Sequence, residues 1–160
     1  MRSWTVGGAL IRHGDGLVLV ANRRRDGSVD WTPPGGVIDD GESVLAGLQR
    51  EVIEETGLVV DGWVGQQYEV VVEAPGLGWR MRVEAWEATS VSGEVVLDDP
   101  DQIVEEVRFA DRVEGIALLR GSAPWLHVPV GLWVEGAGET SYHFVLRGSD
   151  RASAVIERLQ

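Results

Sequence analysis

The chain has 160 residues and a net charge of −12, with 26 acids set against 14 cationic side chains that are all arginines. That balance disfavours a nucleic-acid backbone or an anionic membrane as main partner, and leaves small anions reached through bridging cations or through arginine, whose guanidinium is planar and bidentate. Absent cysteine excludes disulfides, thiolate metal sites and cysteine nucleophiles; with no apolar run near the roughly 20 residues of a membrane span and no signal-peptide pattern, a soluble cytoplasmic protein is expected.

The length suits one domain spanning 1–160, with a core over about residues 3–120 and an extension over 121–160. In chain order, "WTVGGALIRH" and "GLVLVAN" predict strands, and the turn chemistry of "HGDG" between them makes residues 3–22 a hairpin. "RRRDGSVDWTPPGG" predicts a loop, interrupted by Asp26-Gly27, Pro33-Pro34 and Gly35-Gly36. Ser43 is placed to cap a helix that ends near Thr56, with Gly57 as the residue that stops it. Residues 58–73 and 79–90 predict two long valine-rich strands joined around "APGLG". "EEVRFA" predicts a short strand and "ADRVEGIALL" a short helix. The tail predicts a hairpin of "VGLWVEG" with "SYHFVLRG" and a terminal helix from Asp150. A strand-rich chain around one strong helix predicts an α/β or α+β sandwich.

That helix carries an anomaly. "REVIEETG" concentrates glutamates at a helix C-terminus, where the dipole is unfavourable to anions, and spaces Glu51 at i,i+3 and i,i+4 from Glu54 and Glu55, where like charges repel by roughly 0.2–0.5 kcal/mol per pair. At about 100° per residue the three carboxylates share an arc of roughly 100°, beside the apolar stripe of Leu45, Leu48 and Val52. Arg50 falls one turn before Glu54, placed to pair with it. Such a run is either a solvated face or a set of hard oxygen ligands of the kind Mg²⁺ or Mn²⁺ prefers.

The upstream spacing separates the two readings. Gly36, Glu42, Arg50-Glu51, Glu54-Glu55 and Gly57, with apolar Val52 and Leu58, fit G-x5-E-x7-R-E-U-x-E-E-x-G-U at every position. Seven fixed residue types coincide by chance on the order of once per 10⁸ start positions. "GGVIDDGESVLAGLQREVIEETGL" therefore resembles the Nudix box, the signature of the Nudix hydrolases, and with "WTPPGG" and the surrounding strand order the likeness extends to about residue 115. The resemblance implies an α/β/α sandwich with a mixed sheet and a loop-helix-loop motif. It implies Mg²⁺- or Mn²⁺-dependent hydrolysis of a nucleoside diphosphate derivative, by water attack at phosphorus without a covalent enzyme intermediate. The substrate is then a small nucleotide.

Carried onto this chain, the resemblance makes Glu51 and Glu55 the principal metal ligands and Glu54 a ligand or water-orienting acid. Arg50 orients them, and the Gly35 carbonyl is a backbone ligand. Gly36 admits the diphosphate to the backbone, and Glu42 is an outer or helix-stabilising acid. Gln102 falls where many relatives carry a further glutamate, and cannot act as a base, which leaves Glu54, Asp101, Glu105 or Glu106 for that role. Arg23, Arg24 and Arg25 either clamp a distal phosphate or form a solvated basic turn. Trp31 either stacks on a nucleobase or packs, and one of Tyr68, Trp79 and Trp86 is a candidate to face the cleft. His13, His127 and His143 show no ligand spacing and read as structural; Pro75 is explained by its turn. The alternative class is a non-catalytic nucleotide sensor on the same fold, and the tail beyond about residue 120 leaves room for a homodimer surface or a substrate lid.

Overall fold

The computed structural model describes residues 1–159. Its elements run β1 (Arg2–Leu10), β2 (Arg12–His13), β3 (Gly16–Arg23), β4 (Val29–Thr32), β5 (Gly35–Val37), α1 (Val44–Thr56), β6 (Val59–Ala74), a 3₁₀ turn (Pro75–Leu77), β7 (Trp79–Ser92), β8 (Val104–Ala110), α2 (Arg112–Leu119), α3 (Pro124–Val134), β9 (Ser141–Arg147) and β10 (Val155–Arg158). A six-stranded mixed sheet has the order β10-β9-β6-β7-β1-β5, with β1 parallel to β7 and β6 parallel to β9. A smaller sheet is built on β3, which carries β8 along one edge and β2 and β4 in succession along the other. Among the described residues no helix is long and apolar enough to cross a membrane.

Strand alternation divides the buried side chains between two cores. Leu10, Leu17 and Leu19 join Tyr68, Val72, Phe144 and the apolar sides of α2 and α3. Ala9, Ile11 and Val18, one residue out of step, join Leu48 and Val52 of α1. The result is the α/β/α arrangement expected. Leu48 and Val52 are fully buried, and at roughly 1.5–3 kcal/mol per apolar side chain they hold the acid-bearing helix against the sheet. Ser43 Oγ accepts the Ala46 amide at 3.1 Å, and Gly57 ends the helix at φ 79°. A Cβ on Gly57 would lie 2.7 Å from the Val96 nitrogen, so the stop requires glycine for space as well as for φ.

Four expectations are corrected. The hairpin over 3–22 contracts to β2 with the start of β3, because β1 instead runs parallel to β7 from Arg2↔Trp79 to Leu10↔Glu87. That long-range pairing leaves no mark on local alternation. The loop over 23–36 contains β4, which pairs with β3, and β5, whose Gly35 and Gly36 pair with Gly8 and Gly7. In the tail, "VGLWV" belongs to α3, and β9 pairs with β6 and with β10 rather than with that segment. The stretch from Pro124 is apolar on all sides, with Pro129, Val130 and Trp133 buried and the rest partly buried against the core, a pattern that does not distinguish a helix from a strand. The helix expected from Asp150 is replaced by turns and β10.

Candidate functional site

The last turns of α1, the β5 glycines and the loop before β8 enclose a cleft of about 720 Å³. Glu51, Glu54, Glu55 and Arg50 line one wall, Asp99 and Asp101 face them from the loop, and Tyr68, Met81 and Val83 form an apolar floor. Trp125 and Leu126, from the first turn of α3, close the opposite side.

Each acid in the wall has a different environment. Glu55 is only 8% exposed and accepts the Gly35 amide at 2.7 Å. Burial pushes its pKa up to about 8, with Glu51, Asp99 and Glu54 adding to the rise and the Gly35 hydrogen bond opposing it. Glu51 is half-buried, and desolvation raises it to about 6 against the lowering influence of Arg50. Arg50 reaches four carboxylates, donating to Glu42 at 2.9 and 3.0 Å, Glu51 at 3.0 Å and Glu54 at 3.3 Å, and lying 3.4 Å from Asp39. Its guanidinium is held firmly protonated, chiefly by Glu42, whose own pKa falls to about 2 through that hydrogen bond and the Asp39 amide.

Glycines make the room. A Cβ at Gly36 would sit 2.7 Å from the Glu51 carboxyl carbon, so the missing side chain makes room for that carboxylate. Gly47 gives the same relief to Glu42, whose Oε1 would lie 2.6 Å from an added Cβ. A Cβ at Gly35 would meet the Gly7 carbonyl at 2.0 Å, which keeps β5 tight on β1 and sets the amide that holds Glu55.

The other sequence candidates are dispersed. Arg23 pairs with Glu105 across to β8, and both are exposed outside the cleft. Glu106 is bound by Arg108, whose guanidinium lies 4.6 Å from the Trp31 ring centre; none of these three lines the cleft. Arg24 does line it, tied to Asp30 at 2.8 and 2.9 Å, while Arg25 turns into an adjoining cavity. Gln102, at φ 55°, is absent from the lining, whereas Asp101 is present and its side chain makes no hydrogen bond or ion pair among the described residues. Of the aromatic candidates Tyr68 reaches the cleft floor; Trp86 and Trp79 pack elsewhere, the latter edge-on to Trp125 at 6.5 Å. Sequence reading missed Asp99, Asn22 and Trp125. Asp99 accepts the amides of Asp101, Ile103 and Val104 and so shapes the loop. The Asp-Asp-Pro-Asp turn carried a signal for it. Trp125 had none, since its segment reads as uniformly apolar.

The carboxylates fit a hard divalent cation in chemistry, because oxygen donors converge on a cleft in which Glu55 has no positive partner among the described residues. Among the described residues no three histidine, aspartate or glutamate side chains are grouped so as to hold a metal ion by themselves.

The NUDIX domain model matches residues 1–134. The chain belongs to the NUDIX family. It is 31% identical over 98 residues to an RNA pyrophosphohydrolase of Caulobacter vibrioides, a match covering 54% of this chain and 57% of that protein. A MutT-like protein of Streptomyces ambofaciens is 39% identical over 61 residues, 38% of each chain. The chain thus spans little more than half the length of the first of these relatives. Among solved structures, a MutT protein from Bacillus halodurans superposes with a TM-score of 0.68 at 21% identity over 96% of this chain and 97% of that one. A MutT NUDIX hydrolase from Burkholderia pseudomallei gives 0.65 at 22% identity over 84% and 98%. These likenesses show the NUDIX fold.

Proposed function

We propose that the protein is a pyrophosphohydrolase that cleaves the diphosphate linkage of a nucleoside diphosphate derivative with Mg²⁺ or Mn²⁺. The observation that carries the reading is the gathering of Glu51, Glu54 and Glu55 on one cleft wall, with Glu55 buried and without a cationic partner among the described residues. The relatives named for pyrophosphate hydrolysis support it.

In this reading Glu51, Glu54, Glu55 and the Gly35 backbone would hold the cation, which when bound would supply positive charge against the diphosphate and lower the pKa of a water. Arg50 keeps Glu51 and Glu54 aimed by spanning them from Glu42. Asp101 takes the water's proton as the new oxygen–phosphorus bond forms and the bridging oxygen–phosphorus bond breaks, the bridging oxygen leaving with its phosphate. The choice of Asp101 rests on its uncommitted carboxylate, since Glu54 is bound by Arg50 and Asp99 by three amides. Gly8 and the apolar floor leave space for the nucleoside. A panel of nucleoside di- and triphosphate derivatives with Mg²⁺ tests the reading: Asp101→Asn should reduce turnover at least a hundredfold. Turnover undiminished in that variant would remove Asp101 from the role.

A further inference from the structure

Beside the cleft lies a second cavity of about 650 Å³, lined by Arg24, Arg25 and Arg151 with Asp26, Asp30 and Trp125. Arg24, Thr32, Trp125 and Leu126 line both cavities, so the two adjoin across these side chains. Three arginines against two aspartates give this pocket a net positive lining in a chain of net charge −12. The aspartates are already committed. Asp30 is bound by Arg24 and Asn22, and Asp26 accepts the Ser28 amide at 2.9 Å. Arg25 makes no hydrogen bond or ion pair among the described residues, and Arg151 has only the field of Asp26. Two guanidiniums without hydrogen-bonded acceptors in one concavity suit an anion with several acceptor oxygens.

The shared lining relates that anion to the cleft. Glu51, Glu54 and Glu55 line only the cleft, Arg25 and Arg151 line only the side pocket, and Arg24 and Trp125 line both. Trp125 is braced edge-on by Trp79 and presents a rigid aromatic surface between the two cavities. Resting on the hydrolytic reading above, we propose that the side pocket binds a second phosphate, carried on the nucleoside's ribose away from the scissile diphosphate, and that Arg25 and Arg151 select substrates bearing it. The free nucleoside triphosphate, which lacks that group, is then a poorer substrate.

Binding without turnover separates this proposal from the hydrolytic one. The dissociation constants of a nucleoside 5′-monophosphate, its 3′,5′-bisphosphate and the 5′-phosphorylated dinucleotide are measured by calorimetry in low salt. Wild type should prefer the bisphosphate or the dinucleotide over the monophosphate by about tenfold or more. A preference for the bisphosphate identifies a terminal phosphate as the ligand, and a preference for the dinucleotide identifies a phosphodiester. The ratio should collapse to about twofold or less in Arg25→Ala/Arg151→Ala, and Arg25→Lys should restore part of it. A wild-type ratio near one, or a ratio kept in the double variant, overturns the proposal. If the preference holds and no hydrolysis occurs on any substrate, the hydrolytic reading fails while the side pocket stands.

Discussion

Glu55 Oε1 accepts the Gly35 amide hydrogen at 2.7 Å and thereby ties the last turn of α1 to β5 at the lip of the cleft. Of the three wall glutamates the one most withdrawn from water is held by a neutral donor, while its neighbours share Arg50. Removing its charge therefore acts in opposite directions on fold and function. Glu55→Gln should raise the thermal midpoint of the metal-free protein and lower turnover by two or more orders of magnitude. Calorimetry and steady-state kinetics on the same preparation check both halves.

The same burial sets a pH dependence. Glu55 has a folded-state pKa of about 8 and Glu51 of about 6, both above their ordinary value of 4.5. The folded state thus binds more protons than the unfolded one, and stability falls as pH rises, from 4.5 to about 6 for Glu51 and on to about 8 for Glu55. Glu42 works the other way: its stabilisation is complete above 4.5 and is lost as pH falls toward 2. Metal-free protein should melt lower at pH 8 than at pH 5.5, and millimolar Mg²⁺ should recover the loss at pH 8. A thermal melt series with and without chelator measures it.

Arg50 is the common counter-ion of Glu42, Glu51 and Glu54. Lysine keeps the charge but not the planar fork, so Arg50→Lys should cost about 1–3 kcal/mol of stability. Activity should fall more than tenfold, with kcat more affected than KM, because Arg50 acts through the carboxylates it aims. Denaturant melts and a kcat-against-KM comparison decide this.

Gly36→Ala tests packing at the acid wall. The new Cβ would come within 2.7 Å of the Glu51 carboxyl carbon, so the carboxylate must turn away. The expected cost is about 1–3 kcal/mol of stability together with weaker Mg²⁺ binding, read by titration of the variant against wild type.

The acid-bearing helix was legible because its limits are local chemistry: Ser43 caps it, Gly57 stops it, and Leu48 and Val52 mark its buried side. The grouping of Arg50 with Glu54 follows from i,i+4 spacing alone. What lay beyond the sequence depended on distant partners. β1 is paired with β7 some 77 positions away, from Arg2 to Trp79, and nothing in its alternation marks that choice. The arginine triplet looked like one feature, yet strand alternation and a turn send Arg23 to Glu105, Arg24 to Asp30 and Arg25 into the side pocket. Trp125 acquires its place through α3, whose apolar sequence hid the helix itself.

The central claim is that Glu51, Glu54 and Glu55 form one cation-dependent hydrolytic site. Its most direct test is incubation of wild type, Glu54→Gln and Glu55→Gln with a panel of nucleoside diphosphate derivatives and Mg²⁺ in ¹⁸O-water, with products identified by mass spectrometry. The account predicts that wild type places one ¹⁸O on a single phosphorus of the cleaved diphosphate, that chelation abolishes the reaction, and that both variants lose at least a hundredfold. Undiminished hydrolysis by both variants, or turnover unaffected by chelator, would contradict it.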